Sequence, residues 1–273
     1  MFENVSDRTG LIRSEAPLTT DYSPPSPVNR AQELDRIVDA VGPVTQRRQP
    51  ENLLVYGPAG TGKTLLVDHV FSKMEDETRV TTVSINCWQY NTRSSLLTEL
   101  LIQLGYPAPR KGKPVDALLA KLQQWIDKHR GVLVALDEFD QLTDQAAVAY
   151  DFQEVNDTAD NPIGVLMVSN QPPTALELNA RSRSRLAYHA LELSPYSKQD
   201  LIEILHQRVD AAFHDDIVTN EAVERIAAAV ATQNSDCRDA LTLLRRAARL
   251  AEQDGADAVS LTHITQSIDH ARS

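Results

Sequence analysis

Residues 57 to 64 run Gly57-Pro58-Ala59-Gly60-Thr61-Gly62-Lys63-Thr64. Glycines at this spacing let the backbone curl so that its N–H groups converge on an anion. Lys63 is then placed to reach the β- and γ-phosphates of a nucleoside triphosphate, and Thr64 to give its hydroxyl oxygen to Mg²⁺. The spacing is the phosphate-binding pattern GxxxxGK followed by Ser or Thr. Its setting fits as well. The apolar run Asn52 to Tyr56 (NLLVY) precedes it as a buried strand, and a helical run from Lys63 to Met74 follows. The loop therefore opens a helix, whose N-terminal partial positive charge favours phosphate. Pro58, Ala59, Gly60, Thr61 and Gly62 are expected around the phosphates, and ATP with Mg²⁺ is the expected ligand.

Two further strand ends carry chemistry. Val132 to Leu136 is apolar and stops at Asp137-Glu138. At the carboxyl edge of a sheet, beside a phosphate loop, Asp137 would hold Mg²⁺ through water and Glu138 would orient or deprotonate the attacking water. The strand Ile163 to Ser169 is followed by Asn170. That residue is placed to touch the γ-phosphate or the lytic water; the competing reading is a turn-forming asparagine.

The elements that position these groups follow from periodicity. A helix is expected from about Asn29 to Val41, with Leu34, Ile37, Val38 and Val41 on one face, ended by Gly42-Pro43. Further strands are expected at Val80 to Ile85 and His189 to Leu193. Buried strands alternating with helices imply a parallel five-stranded sheet covered on both faces. Two helices, at 92–104 and 114–129, stand where one crossover would suffice, so an insertion is expected near 92–129. After Pro195 only amphipathic helices are expected, near 197–213, 219–231, 236–253 and 261–271. The domain reading is an extended, proline-bearing arm over 1–27, an α/β nucleotide-binding domain over 28–194 and a helical lid over 195–273.

Net charge is −11, with 38 acidic against 27 basic residues. Whole-chain electrostatics of that sign repel nucleic acid. Among the bases only seven are Lys, and Asp outnumbers Glu, a pattern that resembles halophilic archaeal proteins. Cys87 and Cys237 are far apart and suit a reducing compartment. No signal-peptide core or run of about 18 apolar residues is present, so a cytoplasmic protein with no membrane partner is expected. Trp88 and Trp125 read as packing groups, with base-stacking platforms as the alternative.

The phosphate loop, strand-terminal acids, strand-terminal Asn and helical tail together resemble the AAA+ ATPases. Within them the chain resembles the archaeal origin-recognition and cell-division-control-six replication initiators. The matching runs are NRAQELDRI (29–37), NLLVYGPAGTGKT (52–64), the strand ending Ile85-Asn86-Cys87, ALDEFDQL (135–142) and NSDCRDALTLLRRA (234–247). The resemblance implies that Arg238 contacts the γ-phosphate from the lid. A bare arginine near a helix start is electrostatically misplaced unless it meets an anion. It also implies that Arg185 reaches a neighbouring subunit's nucleotide, with Arg181 and Arg183 as rivals. The stretch beginning at Asn29 resembles the adenine-side helix, which makes Val28 and Arg30 candidates for the base, although Asn29 replaces the usual His. The insertion resembles one that touches duplex DNA, which makes Arg93, Arg110, Lys111 and Lys113 candidate phosphate contacts; a solvated basic loop is the alternative.

The chain ends with the last lid helix, where family initiators continue into a winged-helix domain. The expected function is a slowly hydrolysing ATP switch in replication initiation, working with other AAA+ initiator subunits and nucleoid-associated when DNA-bound. The alternatives are a regulatory AAA+ interaction protein without DNA binding of its own, and a mobile-element or defence-type ATPase.

Overall fold

In the computed structural model, which describes residues 10–20, 22–107 and 113–272, one parallel sheet organises the larger unit. Its strands are β1 (Asn52–Tyr56), β2 (Thr81–Asn86), β3 (Val132–Asp137), β4 (Ile163–Ser169) and β5 (Tyr188–Glu192). Their spatial order is β2-β3-β4-β1-β5. Every pairing is parallel, in registers that set Asn86 beside Asp137 and Tyr56 beside Ser169. All five carboxyl ends thus share one edge, where ligands of open α/β sheets bind. The expected five-stranded parallel sheet is the one observed.

Alternate residues of the strands feed two cores. Leu53, Val55, Leu133, Ala135 and Leu166 pack with α1 (Ala31–Val41) and α2 (Lys63–Glu77). Leu54, Val83, Val134 and Met167 pack with α3 (Arg93–Gln103), α4 (Val115–Ile126) and α5 (Gln145–Thr158) on the other face. Val38 departs from expectation: it is 48 % exposed, while Ala40 is buried beside Ile37 and Val41. The buried stripe of α1 is narrower than its apolar content suggests. Trp88 is a second correction, being 70 % exposed just beyond β2. Cys87 before it takes the buried position, and the side chains alternate there.

The chain divides into two compact units. One holds Arg30–Pro58 and Gly62–Leu193, including the sheet and the short α6 (Ala180–Leu186). The other holds 194–272, Ala59–Thr61 and the described residues up to Asn29. Its helices are α7 (Lys198–Ala212), α8 (Asn220–Ala231), α9 (Cys237–Asp254) and α10 (Leu261–Arg272). Leu11 and Leu18, in the segment expected as an arm, are buried in the core of this helical unit. The N–H groups of Arg13 and Ser14 donate to the Ala212 carbonyl at 2.8 and 3.0 Å. Buried Arg208 of α7 donates to the Pro17 and Tyr22 carbonyls. Among the described residues no helix is long and apolar enough to cross a membrane.

Candidate functional site

The sheet edge delivers Lys63, Thr64, Asp137, Glu138 and Asn170 within the larger unit. β1 ends at Tyr56 and Gly57 turns the chain with φ +151°, where a Cβ would fall 2.2 Å from the Leu193 carbonyl oxygen. Only glycine fits there. Lys63 is the first residue of α2 and is buried. Its Nζ donates to the carbonyls of Gly57 (2.9 Å) and Pro58 (2.7 Å), so the ammonium lies under the loop. The Thr64 hydroxyl donates to Asp137 Oδ2 at 3.1 Å. β3 therefore brings its terminal carboxylate to the first turn of α2, and one cation can be shared between the two side chains.

Burial pushes the Asp137 carboxyl above its usual range, and the hydrogen bonds from Thr64 and the Glu138 N–H only partly offset it. Glu138 follows with φ 54° and ψ 43°, a left-handed backbone that a non-glycine residue rarely adopts. The turn is held by Phe139, buried beneath it, and by the Gln141 N–H donating to the Glu138 carbonyl at 2.8 Å. β4 lies between β1 and β3, so Asn170 emerges between the phosphate loop and the two acids.

A cleft of about 190 Å³ opens beside Thr64, Asp68, Ser84, Asn86 and Asp137. That is room for several waters. Asp68 stands one turn beyond Thr64, its carboxyl pushed up to about 6 by burial and then by the charge of Asp137. Hard oxygen donors with space for water suit Mg²⁺, which keeps several waters and takes one or two carboxylates beside phosphate oxygens. Among the described residues no group of three or more His, Cys, Asp or Glu forms a cage for a metal ion. A divalent cation here would need the nucleotide's own oxygens.

In the helical unit, Asp236 caps α9, accepting from the Arg238 N–H at 2.9 Å. The same carboxylate takes the Arg238 guanidinium, with Nη2–Oδ2 at 3.1 Å. The electrostatic misfit expected of Arg238 is thereby removed: a capping acid two residues earlier neutralises it. Gly60 belongs to this unit, and a Cβ on it would stand 1.8 Å from Asp236 Oδ1. Val28 is half-buried against the helical core. Arg30, in the other unit, is buried and pairs with Glu33 at 2.9 Å. The Asn29 amide donates to Asp200 (2.7 Å) and Glu203 (3.1 Å).

The arginines of α6 differ from one another. Arg183 donates to the Pro173 carbonyl at 3.0 Å. Arg181 and Arg185 are exposed, and Arg185 lies over the Tyr150 ring at 4.8 Å.

In the insertion, Arg93 is half-buried and already engaged by a carboxylate. Its guanidinium grips the buried Asp151 of α5 through Nε at 2.5 Å and through Nη2. A buried carboxylate competes for that cation more strongly than a screened phosphate would. Arg110 and Lys111 lie outside the described residues. Lys113 stands 4.7 Å over the Tyr106 ring and Lys128 3.0 Å over Trp125. The two rings meet edge to face at 4.7 Å. The Tyr106 hydroxyl pKa is lowered by its hydrogen bond to Lys113 and further by the charges of Lys113 and Lys121. Lys113, Lys121 and Lys128 thus gather around one aromatic pair.

Sequence reasoning gave no role to Asp68, Asp140, Lys121, Lys128 or Asp236. The i+4 spacing from Thr64 to Asp68 and the cap position of Asp236 were available signals. The lysine cluster needed the packing of Tyr106 on Trp125.

A phosphate loop after an interior strand of a parallel sheet, acids at the end of β3 and a polar residue at the end of the intervening β4 define an AAA+ core. Residues 46–171 match the AAA domain family, and residues 202–269 match the Cdc6 AAA+ ATPase-type lid domain. An ORC1-type DNA replication protein of Halobacterium salinarum is 28% identical over 270 residues, covering 94% of this chain and 65% of the relative. A Pyrococcus abyssi ORC1-type DNA replication protein is 29% identical over 277 residues, covering 97% of this chain and 66% of that protein. The solved structure of Aeropyrum pernix ORC1 in complex with DNA superimposes with a TM-score of 0.86 at 25% identity, covering 95% of this chain and 70% of that one. Pyrobaculum aerophilum Cdc6p shares the fold, with a TM-score of 0.85 at 22% identity, covering 94% of this chain and 71% of that one. The chain thus carries an AAA domain followed by a Cdc6-type AAA+ lid, and over nearly its whole length it is similar to the origin-recognition and Cdc6 initiators. It spans about two thirds of the length of the curated relatives it matches.

Proposed function

We propose that this protein binds ATP with Mg²⁺, hydrolyses it slowly and uses the cycle as a switch in DNA replication initiation. The observation that carries the reading is the Thr64–Asp137 contact at 3.1 Å, directly after buried Lys63 at the start of α2. Pro58 to Gly62 would wrap the phosphates with backbone N–H groups, and Lys63 would exchange its loop carbonyls for β- and γ-oxygens. Thr64 and Asp137 would hold Mg²⁺, which when bound neutralises charge on the β- and γ-phosphates. Glu138 would take the proton of a water attacking the γ-phosphorus in line, with ADP leaving. Asn170 would orient that water. Arg238 would meet the γ-phosphate, and Arg185 of a neighbouring subunit would stabilise the transferring group. Val28 and Arg30 would lie at the adenine.

Substituting Lys63→Ala should raise the Kd for Mg·ATP by roughly 10-fold or more, from the loss of a charge-assisted phosphate contact. Equal affinity for ATP in the variant and the parent would sink the reading.

DNA is proposed as a partner because relatives are DNA replication proteins, one of them solved with DNA, and because Lys113, Lys121 and Lys128 form a basic surface on an acidic chain. Other initiator subunits are proposed as protein partners, with the cytoplasm and its nucleoid as the setting. The engagement of Arg93 by Asp151 favours a second reading, in which the protein co-assembles with relatives and binds no DNA alone. Fluorescence anisotropy on duplex DNA separates the two: ATP-dependent, sequence-selective binding supports the first, and its absence supports the second.

A further inference from the structure

The acidic run after β3 contains a third carboxylate, whose hydrogen bonds reach the end of β4 and the loop after it. Asp140 lies in the 3-10 turn Phe139–Gln141. Its Oδ1 accepts from the Ser169 hydroxyl at 2.7 Å and from the Asn170 N–H at 3.2 Å. Its Oδ2 accepts from Gln141 Nε2 at 2.8 Å. Ser169 is buried, and its hydroxyl oxygen in turn accepts from the Gln171 N–H at 2.9 Å. The first two amides after β4 are therefore claimed by one carboxylate and the hydroxyl it holds. The turn bearing Asp140 is itself pinned. Buried Gln145 donates from Nε2 to the Asp140 carbonyl at 3.3 Å, and its Oε1 accepts from the Glu177 N–H at 2.8 Å.

A loop after a strand is ordinarily free to swing. A charged acceptor makes stronger hydrogen bonds than a neutral one, and here it reaches the strand-terminal loop from the turn that directly follows Asp137 and Glu138. We propose that Asp140 is a positioning residue: it fixes Asn170, just beyond β4, in register with Asp137 and Glu138 at the end of β3, so that the polar group and the acids form one rigid constellation. This rests on the reading of Glu138 and Asn170 as the groups that handle the attacking water.

The test uses the full chain with Mg·ATP, comparing wild type, Asp140→Ala and Asp140→Asn. The Asn side chain keeps an acceptor oxygen for both Ser169 and Asn170. Misplacing a water-orienting group lowers turnover by up to about 100-fold. Asp140→Ala should lower kcat by roughly 10- to 100-fold while the Kd for Mg·ATP stays within about 2-fold. Asp140→Asn should restore kcat to within about 3-fold of wild type, and Asp140→Ala/Asn170→Ala should be no slower than the slower single variant. In the nucleotide-free protein, amide exchange at Asn170 should quicken at least about 10-fold in Asp140→Ala and not in Asp140→Asn. Equal defects in the Ala and Asn variants, additive losses in the double variant, or unchanged exchange at Asn170 would overturn the proposal. Should Asp140→Ala fail to fold, Ser169→Ala replaces it and should show the same pattern with a smaller loss. If wild type neither binds nor turns over ATP, the ATPase reading fails on its own, and the exchange at Asn170 still decides the anchoring.

Discussion

Asp68 and Asp137 face one cleft, and the repulsion between them has a measurable signature. Asp68 titrates near 6 in the folded protein, raised by burial and by Asp137, against about 3.9 in an open chain. The folded state therefore holds this proton more tightly than the unfolded state. Its stability contribution is intact below about pH 4 and is lost as pH rises through 6. Substituting Asp68→Asn should raise the melting temperature at pH 8 and leave it unchanged at pH 4. Because the side chain is partly open to solvent, the gain should be about 1 kcal/mol rather than the full value of the shift. Thermal melts without Mg²⁺ check this, and an equal gain at both pH values would refute it. At this scale the sequence was legible where chemistry sits in a contiguous motif. Lys63, Thr64, Asp137, Glu138 and Asn170 share one sheet edge because each follows a strand or opens a helix there. Asp140 was not legible, because its partners Ser169 and Asn170 are 29 and 30 residues away in sequence.

Among elements, the join between α3 and α5 depends on the Arg93–Asp151 pair. Asp151 has a side chain only 1% exposed and Arg93 one 34% exposed. Arg93→Ala leaves a carboxylate buried without its cation, and should destabilise the protein by about 2–3 kcal/mol, somewhat below the cost of breaking a fully buried pair. Arg93→Ala/Asp151→Asn should recover much of that loss. If Arg93 instead met phosphate, Arg93→Ala would leave the denaturation midpoint unmoved and reduce the salt slope of DNA binding by about 1. Denaturant melts of the single and double variants distinguish the two roles. Elements with a strong period were read within a residue or two, as for β1, α7 and α9. Helices α5 and α6 were not singled out. Val148, Ala149, Phe152 and Val155 do form a helical stripe, but Asp151 interrupts it from within the core. α6 has seven residues, three of them arginines, and owes its start to the Asn179 cap rather than to any apolar face.

For the whole molecule, 38 acids against 27 bases must coexist with a site proposed to hold a triphosphate. Four of the seven lysines, Lys111, Lys113, Lys121 and Lys128, fall between residues 111 and 128, so positive charge is concentrated in the insertion. The rest of the surface repels itself. Screening shortens the range of that repulsion from about 10 Å at 0.1 M salt to about 3 Å at 1 M, so simple relief of repulsion is nearly complete by 1 M. Any protein of net charge −11 should gain stability over that interval. A surface selected for brine should keep gaining above it, as its carboxylates order ions and water. The composition therefore predicts that the melting temperature in KCl climbs by about 3–6 °C between 1 and 3 M, equivalent to roughly 1–2 kcal/mol for a chain of this size. A melting curve series from 0.1 to 3 M KCl is the measurement. A plateau reached by about 1 M, the limit of screening, would mean an ordinary acidic protein and would withdraw the halophilic reading.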